Sequence, residues 1–143
     1  MTKDYASGTS LLRLALACRR FQKRLAACAG LSTNEIICLL ILNLQELKSV
    51  GELSSIVDLS CTSISKILSK LQSKKYIEIA LHSSDRRKER VALTEFGRGI
   101  SESLLGRSKD LATDVLSSLP ENMRTEFASW LQMYSVEDSN ESL

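Results

Sequence analysis

Apolar residues at Leu11, Leu14, Cys18, Phe21, Leu25 and Cys28 recur in alternating steps of three and four, the spacing that lays one seam along a helix. The pattern predicts a first helix from residue 9 to residue 29, with Arg19, Arg20, Lys23 and Arg24 off the seam. Gly30 ends it, and Ser32 followed by Glu35 has capping-box spacing for a second helix. The run Ile36 to Leu42 is apolar nearly all round, so that helix belongs at the centre of the fold. Lys48 and Ser49 suit the end of a short strand, and Gly51 to Asp58 reads as a short helix burying Leu53, Ile56 and Val57.

After a break at Leu59, Ser60 and Cys61, Thr62 to Lys74 makes another helix. Ile64, Ile67, Leu68 and Leu71 take one side of it, leaving Ser63, Ser65, Lys66, Ser69, Lys70 and Gln72 on the other. A short helix, a tight break and an amphipathic helix with a small-polar and basic face form a helix-turn-helix pattern. From Tyr76 the period shortens to two. Ile77, Ile79 and Leu81 alternate in one strand, His82 to Glu89 is a polar tip, and Val91 and Leu93 alternate in the return strand. This is a two-stranded β-wing. Thr94 suits the cap of a long helix to about Leu119, with Ile100, Leu104, Leu111, Val115 and Leu119 as its buried stripe. Gly97, Gly99 and Gly106 are costly there and mark close packing or bending. Pro120 opens a last helix with Met123, Phe127, Trp130, Leu131 and Tyr134 on one face, and Val136 to Leu143 is a polar, acidic tail.

Charge changes the picture more than composition does. The 143 residues carry +2 overall, but the balance is uneven. Residues 1 to 64 have seven basic against five acidic groups, residues 65 to 109 eleven against five, and residues 110 to 143 one against seven. A basic middle points to a polyanionic partner, and an acidic end argues against the whole chain lying on it. The longest apolar run is far too short to span a bilayer, so a cytoplasmic protein without a membrane partner is expected. One His, no nucleophile motif and no Gly-rich phosphate loop argue against an enzyme. Cys18, Cys28, Cys38 and Cys61 form no CxxC pair, so neither a metal site nor a cofactor is expected.

The element order, together with Asp85-Arg86-Arg87-Lys88-Glu89-Arg90-Val91-Ala92-Leu93-Thr94-Glu95-Phe96-Gly97, resembles the MarR family of winged helix-turn-helix transcription regulators. That family's wing reads D-R-R and then L-T-x-x-G. The likeness covers essentially the whole chain, and Ser60 to Leu71 is similar to the family's recognition-helix segment. One position departs: the family usually has Gly after the recognition helix, where this chain has Lys75, which must then enter the left-handed region at some cost. The resemblance implies a mainly α fold, a winged helix-turn-helix flanked by N- and C-terminal dimerisation helices. Residues 47 to 109 would be the DNA-binding unit, and residues 1 to 46 and 110 to 143 the dimerisation helices.

The corresponding function is sequence-specific binding of duplex DNA as a homodimeric regulator, with a repressor as the implied role. Thr62, Ser63, Ser65, Lys66, Ser69 and Lys70 would enter the major groove. By resemblance, Arg87 enters the minor groove, where a guanidinium suits the concentrated negative potential. Asp85 is cast as a brace, and Arg86, Lys88 and Arg90 as phosphate contacts. An apolar seam at each chain end has no third layer to cover it, which favours a twofold dimer on a pseudo-palindromic site. The competing reading is a winged helix that binds only proteins.

The resemblance also implies a small-molecule or oxidant effector. If the chain senses oxidants, Cys18 or Cys61 carries the reaction. Cys61 opens the recognition helix, whereas Cys18 and Cys28 lie on the apolar seam, where a small buried role is the expectation. Those two stand roughly 15 Å apart along the helix, too far for a mutual disulfide. Cys38 belongs to the core.

Overall fold

The computed structural model describes residues 6–44, 48–81, 89–117 and 120–133. Helices α1 (Ala6–Ala29) and α2 (Thr33–Leu44) are followed by strand β1 (Lys48–Ser49), helices α3 (Val50–Val57) and α4 (Cys61–Ser73), strands β2 (Ile77–Leu81) and β3 (Glu89–Leu93), and helices α5 (Glu95–Leu116) and α6 (Glu121–Met133). The architecture is mainly α, with a winged helix-turn-helix at its centre. The wing gains a third strand: β1 pairs antiparallel with β3, giving the order β1-β3-β2.

Among the described residues, three helices end on a left-handed residue. Gly30 (φ 63°), Asp58 (φ 58°) and Lys75 (φ 63°) terminate α1, α3 and α4. At each, the next amide reaches back to the last turn: Leu31 N–H donates to Ala26 O (3.1 Å), Leu59 N–H to Ser54 O (3.2 Å) and Tyr76 N–H to Leu71 O (3.0 Å). These bonds satisfy carbonyls that the helix itself leaves open. Lys75 thus does what the sequence comparison required of it, at about 1 kcal/mol or more relative to Gly. After Gly30, Leu31 turns inward (8% exposed) and α2 leaves α1 at 85°.

The N-terminal caps at Ser32 and Thr94 follow the sequence signals, and Ser60 adds a third. Ser32 Oγ accepts from Glu35 N–H (3.2 Å), Ser60 Oγ from Ser63 N–H (3.2 Å) and Thr94 Oγ1 from Gly97 N–H (2.9 Å). Thr94 also donates through Oγ1 to Lys75 O (2.7 Å), and its own N–H donates to Tyr76 O (3.0 Å). One residue therefore fixes the start of α5 against the end of α4 and the start of β2. Gly97 completes the corner: a Cβ there would lie 1.9 Å from Tyr76 O, so the helix can approach only without a side chain. Gly99 and Gly106 have open space around them, so close packing explains Gly97 alone.

A single core joins Leu25 and Ala26 of α1 with Ile36, Cys38, Leu39 and Leu42 of α2, Leu53 of α3, Ile64, Leu68 and Leu71 of α4, the strands, and Leu104 of α5. Helix α2 is its centre, as its all-round apolarity predicted. The N-terminal half of α1 differs. Leu11, Leu12 and Leu16 are exposed, and so are Cys18 and Cys28. The burial expected for those two cysteines is not found among the described residues: Cys18 lines an open groove that α1 shares with α5 and α6, and Cys28 is exposed near the end of α1. Among the described residues no single helix is long and apolar enough to cross a membrane.

Candidate nucleic-acid interface

Helix α4 is held from one side and open on the other. Ile64, Leu68 and Leu71 are fully buried, and α2, α3 and β2 pack against them. Thr62, Ser65, Lys66, Ser69, Lys70 and Gln72 are exposed, with Ser63 half-buried at the edge. Lys66 and Lys70 stand one turn apart on this face. Two of the serine hydroxyls already have acceptors: Ser69 Oγ donates to Ser65 O (2.9 Å) and Ser60 Oγ to Ser63 Oγ (2.9 Å). Back-bonding of this kind fixes the rotamer and leaves oxygen lone pairs outward. The face therefore offers short polar groups and two long cations on a rigid rod, with room for a second macromolecule to come close. Cys61 is the first residue of the helix and is exposed.

Of the wing residues expected to reach DNA, Asp85, Arg86, Arg87 and Lys88 lie outside the described residues. Arg90 lies within β3, opposite Ser49 of β1 and Ala80 of β2. Its Nη1 donates to Glu52 Oε1 at 3.1 Å. The register explains the pair. Ser49 caps α3, accepting from Glu52 N–H and donating to Glu52 Oε1, both at 3.2 Å, so Glu52 is turned toward the strand that carries Arg90. The base of the wing is thereby fastened to the first helix of the helix-turn-helix.

Two acidic residues that sequence reasoning did not single out as site residues thus support the site. Glu52 holds Arg90, and Glu35, 5% exposed, receives Lys74 Nζ at 3.1 Å. Only the capping position of Glu35 was visible in the sequence, because its partner lies 39 residues away. One turn on from Glu35, the Cys38 thiol is pushed up to about 11 by burial and, secondarily, by the Glu35 charge. It is inert at neutral pH.

Away from α4, α1, α5 and α6 form an apolar groove of about 290 Å³, lined by Cys18, Phe21, Leu116, Phe127, Trp130 and Leu131 among others. Arg124 positions α6 by donating from Nε to Leu116 O (3.1 Å) and from Nη2 to Ser117 O (3.3 Å) at the end of α5. Phe127 and Trp130 stack at 6.0 Å between ring centroids. Tyr134, expected on the same face, lies outside the described residues. Among the described residues, no group of three His, Cys, Asp or Glu side chains converges to hold a metal ion.

The chain matches no protein-family profile and no curated protein by sequence. Its fold, in contrast, is shared with many solved structures. A MarR transcriptional regulator from Methanosarcina mazei Go1 superposes with a TM-score of 0.78 at 18% identity, covering 99% of this chain and 100% of that one. The Mycobacterium tuberculosis MarR family protein Rv2887, in complex with salicylic acid, gives 0.72 at 22% identity over 88% and 93%. A mutant of S. aureus MepR bound to an oligodeoxyribonucleotide gives 0.62 at 15% identity over 92% and 95%. The chain has the fold of these regulators, from first helix to last.

Proposed function

We propose that this chain is a DNA-binding transcription regulator of the MarR type that acts as a homodimer, with repression as its mode. The observation that carries the reading is the outer face of α4, where Thr62, Ser65, Lys66, Ser69 and Lys70 are exposed on a helix anchored by three fully buried residues. A major groove admits such a helix, and short hydroxyls with flanking cations suit base edges and phosphates. The oligonucleotide-bound MepR mutant, which has the same fold, supports the same use of this one.

Within that reading, Thr62, Ser63, Ser65, Lys66, Ser69 and Lys70 carry most of the sequence choice. Arg87 enters the minor groove, Asp85 braces it, and Arg86 and Lys88 contact phosphates. Arg90 divides its charge between phosphate and Glu52, so it contributes less to affinity than its neighbours. Residues 47 to 109 read the DNA, and residues 1 to 46 and 110 to 143 supply the dimer. The exposed leucines of α1 and the groove beside Trp130 support that assignment, since both lie on helices remote in sequence from α4 and offer apolar surface to a second copy. The salicylic acid complex of Rv2887 supports a small aromatic acid as one class of effector, alongside an oxidant acting at Cys18 or Cys61. A cytoplasmic site of action accompanies this function.

The test is a salt titration of binding to duplex DNA. The logarithm of the affinity should fall linearly with the logarithm of salt concentration, and Lys66→Ala and Arg87→Ala should each reduce the slope by about one. A flat salt dependence in the wild-type protein would favour the protein-interaction module instead.

A further inference from the structure

The C-terminal end of α4 is tied to α2 by an ion pair that takes no part in the outer face. Lys74 Nζ lies 3.1 Å from Glu35 Oε2, with the Glu35 side chain 6% and the Lys74 side chain 40% exposed. Each charge sits at the helix end that favours it. Glu35 is in the first turn of α2 and Lys74 is the C-terminal cap of α4, so both helix dipoles reinforce the pair. A carboxylate with so little access to water depends on the partners the fold provides. The chain then turns through Lys75, whose carbonyl accepts from Thr94, so this corner fixes the end of α4 relative to α2, β2 and α5 together.

We infer that Glu35 is a positioning residue for DNA recognition: through Lys74 it sets where α4 lies on α2, so that base discrimination depends on a carboxylate that touches no DNA. The inference rests on the DNA-binding function proposed above. Direct contacts to base edges require donors and acceptors placed within roughly 0.5 Å. Phosphate contacts depend mainly on charge and tolerate larger displacements. Loosening the end of α4 should therefore lower the preference for a chosen sequence far more than the general affinity for DNA.

The experiment begins by selecting sites from a random duplex library with the wild-type protein. Dissociation constants for a selected and a scrambled duplex are then measured over a range of salt for wild type, Glu35→Gln, Lys74→Met and the double variant. Each single variant should lower the selected-to-scrambled ratio by about tenfold, and the double variant should lose no more than either single one. The salt slope on scrambled duplex should stay at the wild-type value in all three variants. A merely structural role would lower the active fraction for both duplexes and leave the ratio intact. An unchanged ratio or additive losses overturn the inference, as does a smaller slope in Lys74→Met, which would make Lys74 a phosphate contact. Lys74→Met keeps the aliphatic stem at a partly exposed position, so it carries the test even if Glu35→Gln fails to fold. Failure of the functional reading looks different: the wild-type protein then shows no salt-dependent binding to any duplex.

Discussion

The two ends of this molecule cover their apolar surface to different degrees. In the winged unit Leu53, Ile64, Leu71 and Val91 are 0% exposed, whereas on α1 and α6 Leu11, Leu12 and Trp130 are 66%, 69% and 55% exposed. Both regions carry apolar seams, so the contrast does not come from the helices themselves. It comes from how much of each seam the neighbours cover: α4 meets α2, α3 and β2, while α1 meets α2 and α5 and still leaves Leu11, Leu12 and Leu16 exposed. An amphipathic seam states that a helix needs a partner, and leaves open whether the same chain provides it. The winged unit is closed by one chain, and under the proposed function the α1 and α6 surface is closed by a second.

The strongest blow to the closed unit falls at Gly97. An added Cβ would meet Tyr76 O at 1.9 Å and Tyr76 C at 2.7 Å, both backbone atoms with no rotamer to yield. Gly97→Ala should cost about 3 kcal/mol or more, since it drives α5 away from the corner that Thr94 holds. Urea denaturation measures it. Gly106→Ala, on the same helix with open space around it, should stabilise by about 0.5–1 kcal/mol. Equal effects at the two positions would mean that the corner is not closely packed.

A second test reads the closure of the core through its chemistry. The Cys38 thiol stays protonated up to about 11 in the folded chain, against an ordinary value of 9.0, because burial and then Glu35 disfavour the thiolate. Between these values the unfolded chain has released the proton and the native one has kept it. Stability is therefore full below the lower value and falls as pH rises through the window, by on the order of 2–3 kcal/mol in all. Cys38→Ala should remove this component, so the difference between the two alkaline stability profiles isolates it from the lysines and tyrosines. Parallel profiles would mean that water reaches the centre of α2.

Much of this was legible beforehand where the signal was local. The seam of α4, the cap at Thr94 and the change of period at Tyr76 all depend on residues within one or two turns of each other, and each appears in the structure as expected, whereas the left-handed Lys75 follows from the family resemblance. The pairs Glu35–Lys74 and Glu52–Arg90 join positions 39 and 38 residues apart, and spacing along the chain holds no trace of them. The exposure of Cys18 has a related cause: a helical period assigns a residue to a face and says nothing of what lies opposite.

The smallest expected effect on a single chain, and the most informative about the open end, comes from Trp130. It is 55% exposed on α6 and lines the groove with Phe21, Leu116, Phe127 and Leu131. Trp130→Ala should leave the stability of the winged unit within about 0.5 kcal/mol, because little buried surface is lost within one chain. If a second copy covers the groove, an aromatic anchor at its centre is worth about 2 kcal/mol and a twofold dimer loses two of them, so the dimer dissociation constant should rise by roughly a thousandfold. Sedimentation equilibrium gives that constant, and denaturation of the same variant at high dilution gives the other half of the contrast. A dimer unaffected by Trp130→Ala would mean that the copies meet elsewhere, leaving this groove to a ligand and the exposed leucines of α1 to carry the association alone.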